Sequence, residues 1–128
     1  KCGQGCSKCR MSHGERKVKR FLDNNNILYE SQKKFDKCRN LNPLPFDFYL
    51  PKFNACIEYD GEQHFETRFT HSRKSFYNFE KIKKNDCIKN KFCDDNEINI
   101  LRIPYFEKEN IEVILKKEIL KWERKKKF

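Results

Sequence analysis

The sequence predicts an α/β fold built on one mixed β-sheet, with the elements in the order helix, strand, strand, strand, helix, strand, helix. Segments 45–50 and 55–60 alternate apolar and polar residues with a period of two, which indicates strands. Segments 12–22 and 76–93 instead space apolar residues three and four positions apart, as along one face of a helix. Because the two patterns alternate along the chain, we expect a sheet with helices packed against it.

The chain of 128 residues is strongly basic, with 29 lysines and arginines against 19 acidic residues and a formal net charge of +10. Such a surplus favours a polyanionic partner, with nucleic acid first and an anionic membrane surface second. No apolar run reaches the roughly 18 residues of a membrane-spanning helix. No secretory signal opens the sequence. We therefore expect a soluble, intracellular protein with one core, in a reducing compartment such as the cytoplasm or nucleus.

The seven cysteines are an odd number, which does not suit the disulfide framework of a secreted protein. Cys6 and Cys9 have the C-x2-C spacing with which a zinc knuckle aims two thiolates at one ion, and Cys2 precedes them. These thiolates do not complete a four-ligand site, so His13, Cys38 or a second pair upstream would have to assist. Ordinary free thiols are the alternative.

The first helix is predicted to start at Ser12, because Ser12 and Glu15 match the capping box S-x-x-E. Val18 and Leu22 continue it with an apolar stripe, and the asparagines at 24–26 stop it. Glu15 has two interpretations. As a capping residue it reaches back to the Ser12 backbone, and as an inward acid it meets the carboxylates of the sheet.

The central hairpin follows a strand predicted over 27–35 and a polar, proline-containing loop predicted over 38–45. Residues 51–54 form a connection of common hairpin length, with turn residues at both ends. Antiparallel pairing without a bulge then places Leu50 opposite Ala55.

The same register places Asp47 opposite Glu58, with Cβ atoms roughly 4.5 to 5.5 Å apart, where like charges destabilise a sheet. Asp60 follows two residues later on the same strand face as Glu58. A hard divalent cation held by carboxylate oxygens would neutralise these acids. The alternative is an exposed acidic face balanced by surrounding lysines.

A basic, aromatic-bearing loop is predicted over 67–75. Loops on a rigid scaffold often carry binding groups, and this one has what contacts to the phosphates of a nucleic-acid backbone need. Its candidate DNA-binding residues are Arg68, His71, Arg73 and Lys74. A solvated surface loop explains the pattern nearly as well.

The second helix is predicted over 76–93, where Asp86 and Lys89 interrupt an apolar stripe. These two residues either satisfy each other at a spacing of three or belong to the site. A last strand is predicted over 98–103. The apolar residues of a terminal helix follow at Ile111, Leu115, Ile119 and Trp122.

Five motifs, in chain order, resemble the very-short-patch-repair-like branch of the PD-(D/E)XK nuclease superfamily, which includes the EDxHD homing endonucleases and proteins of phages and large DNA viruses. The motifs are Gly14-Glu15, Phe46-Asp47-Phe48, the string Ile57-Glu58-Tyr59-Asp60-Gly61-Glu62-Gln63-His64, Asp86-x2-Lys89 and Leu101-Arg102-Ile103. The string ending at His64 is the most specific of them. The resemblance implies a restriction-endonuclease-like core, a mixed four-stranded sheet flanked by helices in the order αβββαβα.

The resemblance also implies a DNA endonuclease that uses Mg²⁺ or Mn²⁺ to hydrolyse phosphodiester bonds in homing, repair or restriction. It places Glu15, Asp47, Glu58 and Asp60 around the cation, and Gln63 and His64 beside them. The superfamily lysine of the E-x-K motif is absent because Asp60 occupies its place, which leaves His64 or Lys89 to activate water. Arg102 joins the basic loop as a DNA contact.

Two regions are expected along the chain. Residues 1–11 would be the end of a truncated zinc-knuckle-like module that holds Zn²⁺, and residues 12–128 the endonuclease-like domain. DNA is the expected partner, a membrane is not, and a homodimer stays open. In an infected cell the compartment would include the viral factory. Two alternatives also stay open, namely a catalytically inactive DNA-binding module with a nuclease-like fold and an RNA nuclease.

Overall fold

The structure, a computed structural model, describes residues 11–61 and 73–126, with side chains described in 11–61 and 79–125. It is an α/β fold with one four-stranded mixed sheet and three helices, as the sequence predicts. Within these ranges no helix has the length and hydropathy that crossing a bilayer requires. The helices and strands are α1 (His13–Asn24), β1 (Glu30–Arg39), β2 (Pro43–Leu50), β3 (Ala55–Asp60), α2 (Arg73–Asp95), β4 (Asn99–Pro104) and α3 (Ile111–Lys126), with 3-10 turns at Pro51–Phe53 and Tyr105–Asn110.

The four strands lie side by side in the order β1-β2-β3-β4. β1 and β2 pair antiparallel, as do β2 and β3, whereas β3 and β4 pair parallel. A parallel pair needs a long crossover connection, and the 23-residue helix α2 lies in this one. The sheet is therefore mixed because a hairpin meander precedes a crossover helix.

The hairpin between β2 and β3 has the predicted register, with Leu50 paired to Ala55. The turn ends at Asn54, whose φ of 48° lies in the left-handed region that asparagine tolerates better than most residues. The Asn54 side chain donates to the carbonyl of Glu97 at 3.2 Å. This bond ties the hairpin turn to the segment that precedes β4.

The boundaries of β1 and β2 differ from the prediction. β1 starts later than expected, and both strands extend into segment 38–45, which the sequence predicted as a loop. The prolines that suggested a loop are Pro43 and Pro45. The β2–β3 ladder covers Phe48 to Leu50, so the N–H groups that these prolines lack break no bond to β3.

Each face of the sheet has its own hydrophobic core, because neighbouring residues of β3 point to opposite faces. Ile57 packs with α1 and α3 in a cluster that includes Val18, Leu22, Leu115 and Trp122. Cys56 packs with α2 in a second cluster that includes Cys38, Phe46 and Cys93. The middle of the sheet is therefore covered by α1 and α3 on one face and by α2 on the other.

Candidate active site

The site begins where β2 and β3 stop pairing. Beyond the pair Phe48–Ile57, the strands are joined by hydrogen bonds between side chains and backbone instead of backbone-to-backbone bonds. The backbone N–H of Asp47 donates to Glu58 Oε2 at 3.2 Å, and the N–H of Tyr59 donates to Asp47 Oδ2 at 2.8 Å. The two predicted acids therefore come together across the strands, and each is held by the opposite backbone.

Helix α1 brings a third acid to this place because its start lies against β3. A Cβ atom on Gly14 would overlap the ring of Tyr59, so only glycine allows the helix to approach the ring this closely. The next residue, Glu15, accepts a hydrogen bond from the Ser12 N–H at 2.9 Å and completes the predicted capping box. Its charge also contributes to raising the pKa of Asp47, which places its carboxylate near the acids of the sheet. Both interpretations of Glu15 therefore apply to the same side chain.

The electrostatics of this cluster disfavour its negative charge. Burial is the main cause that raises the pKa of Asp47 to about 8, and repulsion by Glu58 and then Glu15 adds to it. Burial also raises the pKa of Glu58, although Lys89 and Arg102 oppose that shift. The cluster is short of positive charge, which a bound cation would supply.

Lys89 reaches the same cluster from α2. Its Nζ lies 3.3 Å from both carboxylate oxygens of Glu58, and its side chain is 12% exposed. The ammonium also lies 5.2 Å from the centre of the Phe46 ring, within the range of a cation–π contact. The structure therefore brings together Glu15, Asp47, Glu58 and Lys89, four of the predicted site residues.

Asp60 belongs to a neighbouring ionic network centred on Arg102. Arg102 Nη1 lies 2.8 Å from Asp60 Oδ1 and 3.5 Å from Asp86 Oδ1, and Nε donates to Asn90 Oδ1 at 2.9 Å. The network joins β3, β4 and α2, and the Arg102 side chain is 19% exposed. Arg102, predicted as a DNA contact, thus lies within the protein as the partner of Asp60.

Sequence reasoning missed two contributors to the site. The ring of Tyr59 packs so closely against α1 that position 14 must be glycine, and Asn90 accepts a hydrogen bond from Arg102. For Asn90 a signal was present, because it lies four residues after Asp86 and therefore on the same helix face. For Tyr59 the sequence carried no comparable signal, since its contact with α1 is set by packing.

Several predicted residues lie outside the described residues: Cys2, Cys6, Cys9, Gln63, His64, Arg68 and His71. Arg73 and Lys74 fall in α2, so the prediction that they belong to a loop is wrong, and their side chains are outside the described set. Of the residues considered to complete a zinc site, Cys38 is buried in the core and His13 is the exposed first residue of α1.

The described side chains contain no group of three or more His, Cys, Asp or Glu arranged to hold a metal ion. Two acids suffice for one class of metal, because Mg²⁺ keeps several waters and is usually held by one or two carboxylates together with substrate phosphates. Asp47 and Glu58 provide such a pair of oxygen donors. The donor set therefore fits Mg²⁺ or Mn²⁺ better than a metal that prefers nitrogen and sulfur.

Comparisons with known proteins give one viral relative. The chain is 28% identical over 117 residues to "Uncharacterized protein 307L" of Invertebrate iridescent virus 6, a match that covers 77% of this chain and 58% of that protein. The chain thus spans less than two thirds of the relative's length. No family model matches it, and no solved structure matches it. A function for this chain must therefore be argued from its site.

Proposed function

We propose that this protein is a Mg²⁺- or Mn²⁺-dependent endonuclease that hydrolyses phosphodiester bonds in DNA. The observation that carries the proposal is the cluster of Glu15, Asp47 and Glu58 at the point where β2 and β3 separate. A protein of net charge +10 that only bound polyanions would gain nothing from partly buried acids. A hydrolase that holds a cation against a phosphate requires them.

Asp47 and Glu58 would hold the cation. When bound, it would lower the pKa of a coordinated water and stabilise the charge that develops on the phosphate. Glu15 is placed to orient Asp47, because its own carboxylate is anchored by the Ser12 N–H. The restriction-endonuclease-like identity of the core belongs to the same proposal, which rests on the element order and on this cluster.

Lys89 takes the part of the superfamily lysine that β3 lacks. Its ammonium lies 3.3 Å from both Glu58 oxygens, so it is placed to hydrogen-bond the attacking water or a phosphate oxygen beside that carboxylate. His64 is the alternative group for proton transfer. The basic residues of segment 67–75 would neutralise DNA phosphates. The logarithm of the binding constant would then fall with the logarithm of the salt concentration, with a slope of roughly −0.9 per phosphate contact.

A second candidate is a DNA-binding module with a nuclease-like fold and no activity. It is favoured by the ion pairs themselves, because Lys89 already compensates Glu58 and Arg102 already compensates Asp60 without a metal. The two candidates differ in the role of Asp47, whose pKa is raised. In the nuclease the Asp47 carboxylate holds a cation, whereas in the binding module it does not.

The test is cleavage of supercoiled plasmid in Mg²⁺, Mn²⁺ or EDTA by the parent protein and by Asp47→Asn and Glu58→Gln. Asp36→Asn is the matched control, because it makes the same chemical change at an exposed position of β1. We expect metal-dependent nicking by the parent and the control, with at least a hundredfold loss in both site variants. A parent that binds supercoiled, branched and single-stranded DNA but cleaves none of them with either metal would favour the binding module.

A further inference from the structure

An apolar groove lies away from the acidic cluster, between the end of α1, the turn after β2 and α3. Its volume is about 550 Å³. Phe21, Phe53 and Ile119 line it and are themselves buried. Leu28 and Leu120 also line it but are 82% and 53% exposed. Exposed leucines beside an apolar floor are typical of a surface that another protein covers.

Helix α3 carries opposite charges along this groove. Lys116 and Glu123 both line it, seven residues apart and therefore about two turns apart on one face of the helix. Leu120 lies between them along the same face. Neither charge forms an ion pair with another side chain within 11–61 or 79–125. Along α3, one edge of the groove therefore carries a positive charge at Lys116, an apolar side chain at Leu120 and a negative charge at Glu123.

We propose that a second copy of this chain covers the groove in a two-fold symmetric dimer with its two α3 helices antiparallel. A two-fold axis beside Leu120 brings Lys116 opposite the partner's Glu123 and Glu123 opposite the partner's Lys116. A two-fold interface must be complementary to itself, and this order of charges meets that condition. The exposed leucines of each copy then cover the apolar floor of the other.

Charge complementarity favours a second copy over an unrelated partner. Two chains of net charge +10 repel each other overall, so their association needs local attraction between unlike charges, and α3 provides two such contacts in this arrangement. The groove lies at the Asn25 end of α1 and Glu15 near its other end, about 15 Å apart along the helix. The dimer therefore leaves the acidic cluster accessible, and it does not depend on the proposed nuclease function.

The test is sedimentation equilibrium of the parent and of charge-reversal variants. Lys116→Glu would face the partner's Glu123 with a like charge, and Glu123→Lys would face the partner's Lys116 with a like charge. We expect a parent dimer and a dissociation constant at least about tenfold weaker for each single variant. An equimolar mixture of the two single variants pairs unlike charges at both contacts, so it should form a heterodimer of parental strength, as should the double variant with itself.

Lys117→Glu is the control, because it makes the same charge change on α3 at an exposed residue that does not line the groove. It should dimerise as the parent does. Both reversed residues are exposed, so circular dichroism should show an unchanged fold. A monomeric parent, or a dimer that neither reversal weakens, would overturn the proposal.

Discussion

Asp60 and Glu58 lie two residues apart on β3, yet the groups around them are balanced in opposite ways. Asp60 faces the guanidinium of Arg102 at 2.8 Å, and Asp86 and Asn90 hold that guanidinium from α2. Glu58 also meets a cation, the ammonium of Lys89 at 3.3 Å, but its neighbour Asp47 is repelled by Glu58 and Glu15, and burial together with this repulsion raises the pKa of Asp47 to about 8. The difference separates two uses of buried charge.

The Arg102 network pairs opposite charges from β3, β4 and α2. It therefore holds two strands and a helix together. The cluster of Glu15, Asp47 and Glu58 sets three acids against the single ammonium of Lys89, so it concentrates like charges at a cost in stability that a bound cation would offset. We therefore expect substitutions in the network to lower stability and a neutralising substitution in the cluster to raise it.

The largest effect is expected for Arg102→Leu, which leaves the buried carboxylate of Asp60 without its guanidinium. Breaking a buried ion pair from one side costs about 3–5 kcal/mol of unfolding free energy. Urea denaturation measures this loss. Adding Asp60→Asn should recover part of it, and a double variant no more stable than the single one would show that the ion pair is not the cause.

Next comes Asp47→Asn, whose effect should depend on pH. The folded Asp47 carboxyl holds its proton up to about pH 8, whereas the unfolded carboxyl ionises near its ordinary pKa of 3.8. The stability that the protonated form contributes is therefore complete below about pH 4 and lost as the pH rises through about 8. Without metal, the variant should exceed the parent by up to a few kcal/mol at pH 8 and by little at pH 4.

The measurement for Asp47→Asn is urea unfolding in EDTA at several pH values. Groups remote from the cluster titrate equally in both proteins, so the difference between the two free energies reports Asp47 together with the acids that repel it. A constant difference from pH 4 to 8 would contradict the raised pKa. Added Mg²⁺ should stabilise the parent more than the variant at pH 8 if the cation binds where we propose.

Gly14→Ala should have a smaller effect on stability and a clear one on the cluster. The new methyl group overlaps the Tyr59 ring, so either the ring or the start of α1 must move, at a cost of about 1–3 kcal/mol. Thermal unfolding and plasmid nicking report the two consequences. Tyr59→Leu in the same background should relieve the overlap, and failure to recover any stability would exclude the clash as the cause.

The smallest effect is expected for Lys19→Ala, which removes an ion pair that is exposed to solvent, unlike the buried pair of Arg102 and Asp60. Lys19 Nζ lies 3.0 Å from Asp23, but both side chains are about half exposed. Water and salt screen such a pair, so the unfolding free energy should match that of the parent within experimental error. A loss comparable to that of Arg102→Leu would remove the distinction between exposed and buried pairs.

Local patterns predicted much of the fold. The capping box at Ser12, the period-two strands and the four-residue hairpin loop depend on residues close in sequence, so their spacing was enough to pair Leu50 with Ala55 and to bring Asp47 near Glu58, although the strand pairing itself ends at Phe48 and Ile57. The prolines of β2 made the prediction wrong there. A proline is tolerated in a strand where no neighbouring strand needs its N–H, and β3 does not pair with β2 at Pro43 and Pro45.

The partners of the acids could not be predicted in the same way. Lys89 and Glu58 are 31 residues apart in sequence, and Arg102 and Asp60 are 42 residues apart. Periodicity shows which face of a helix is buried, but the crossing of α2 over the sheet selects the side chain that each acid meets. Residue types and spacing therefore established the element order and the paired acids. Packing alone decided which acid meets a cationic side chain among the described residues and which does not, because compensation depends on distances between elements remote in sequence.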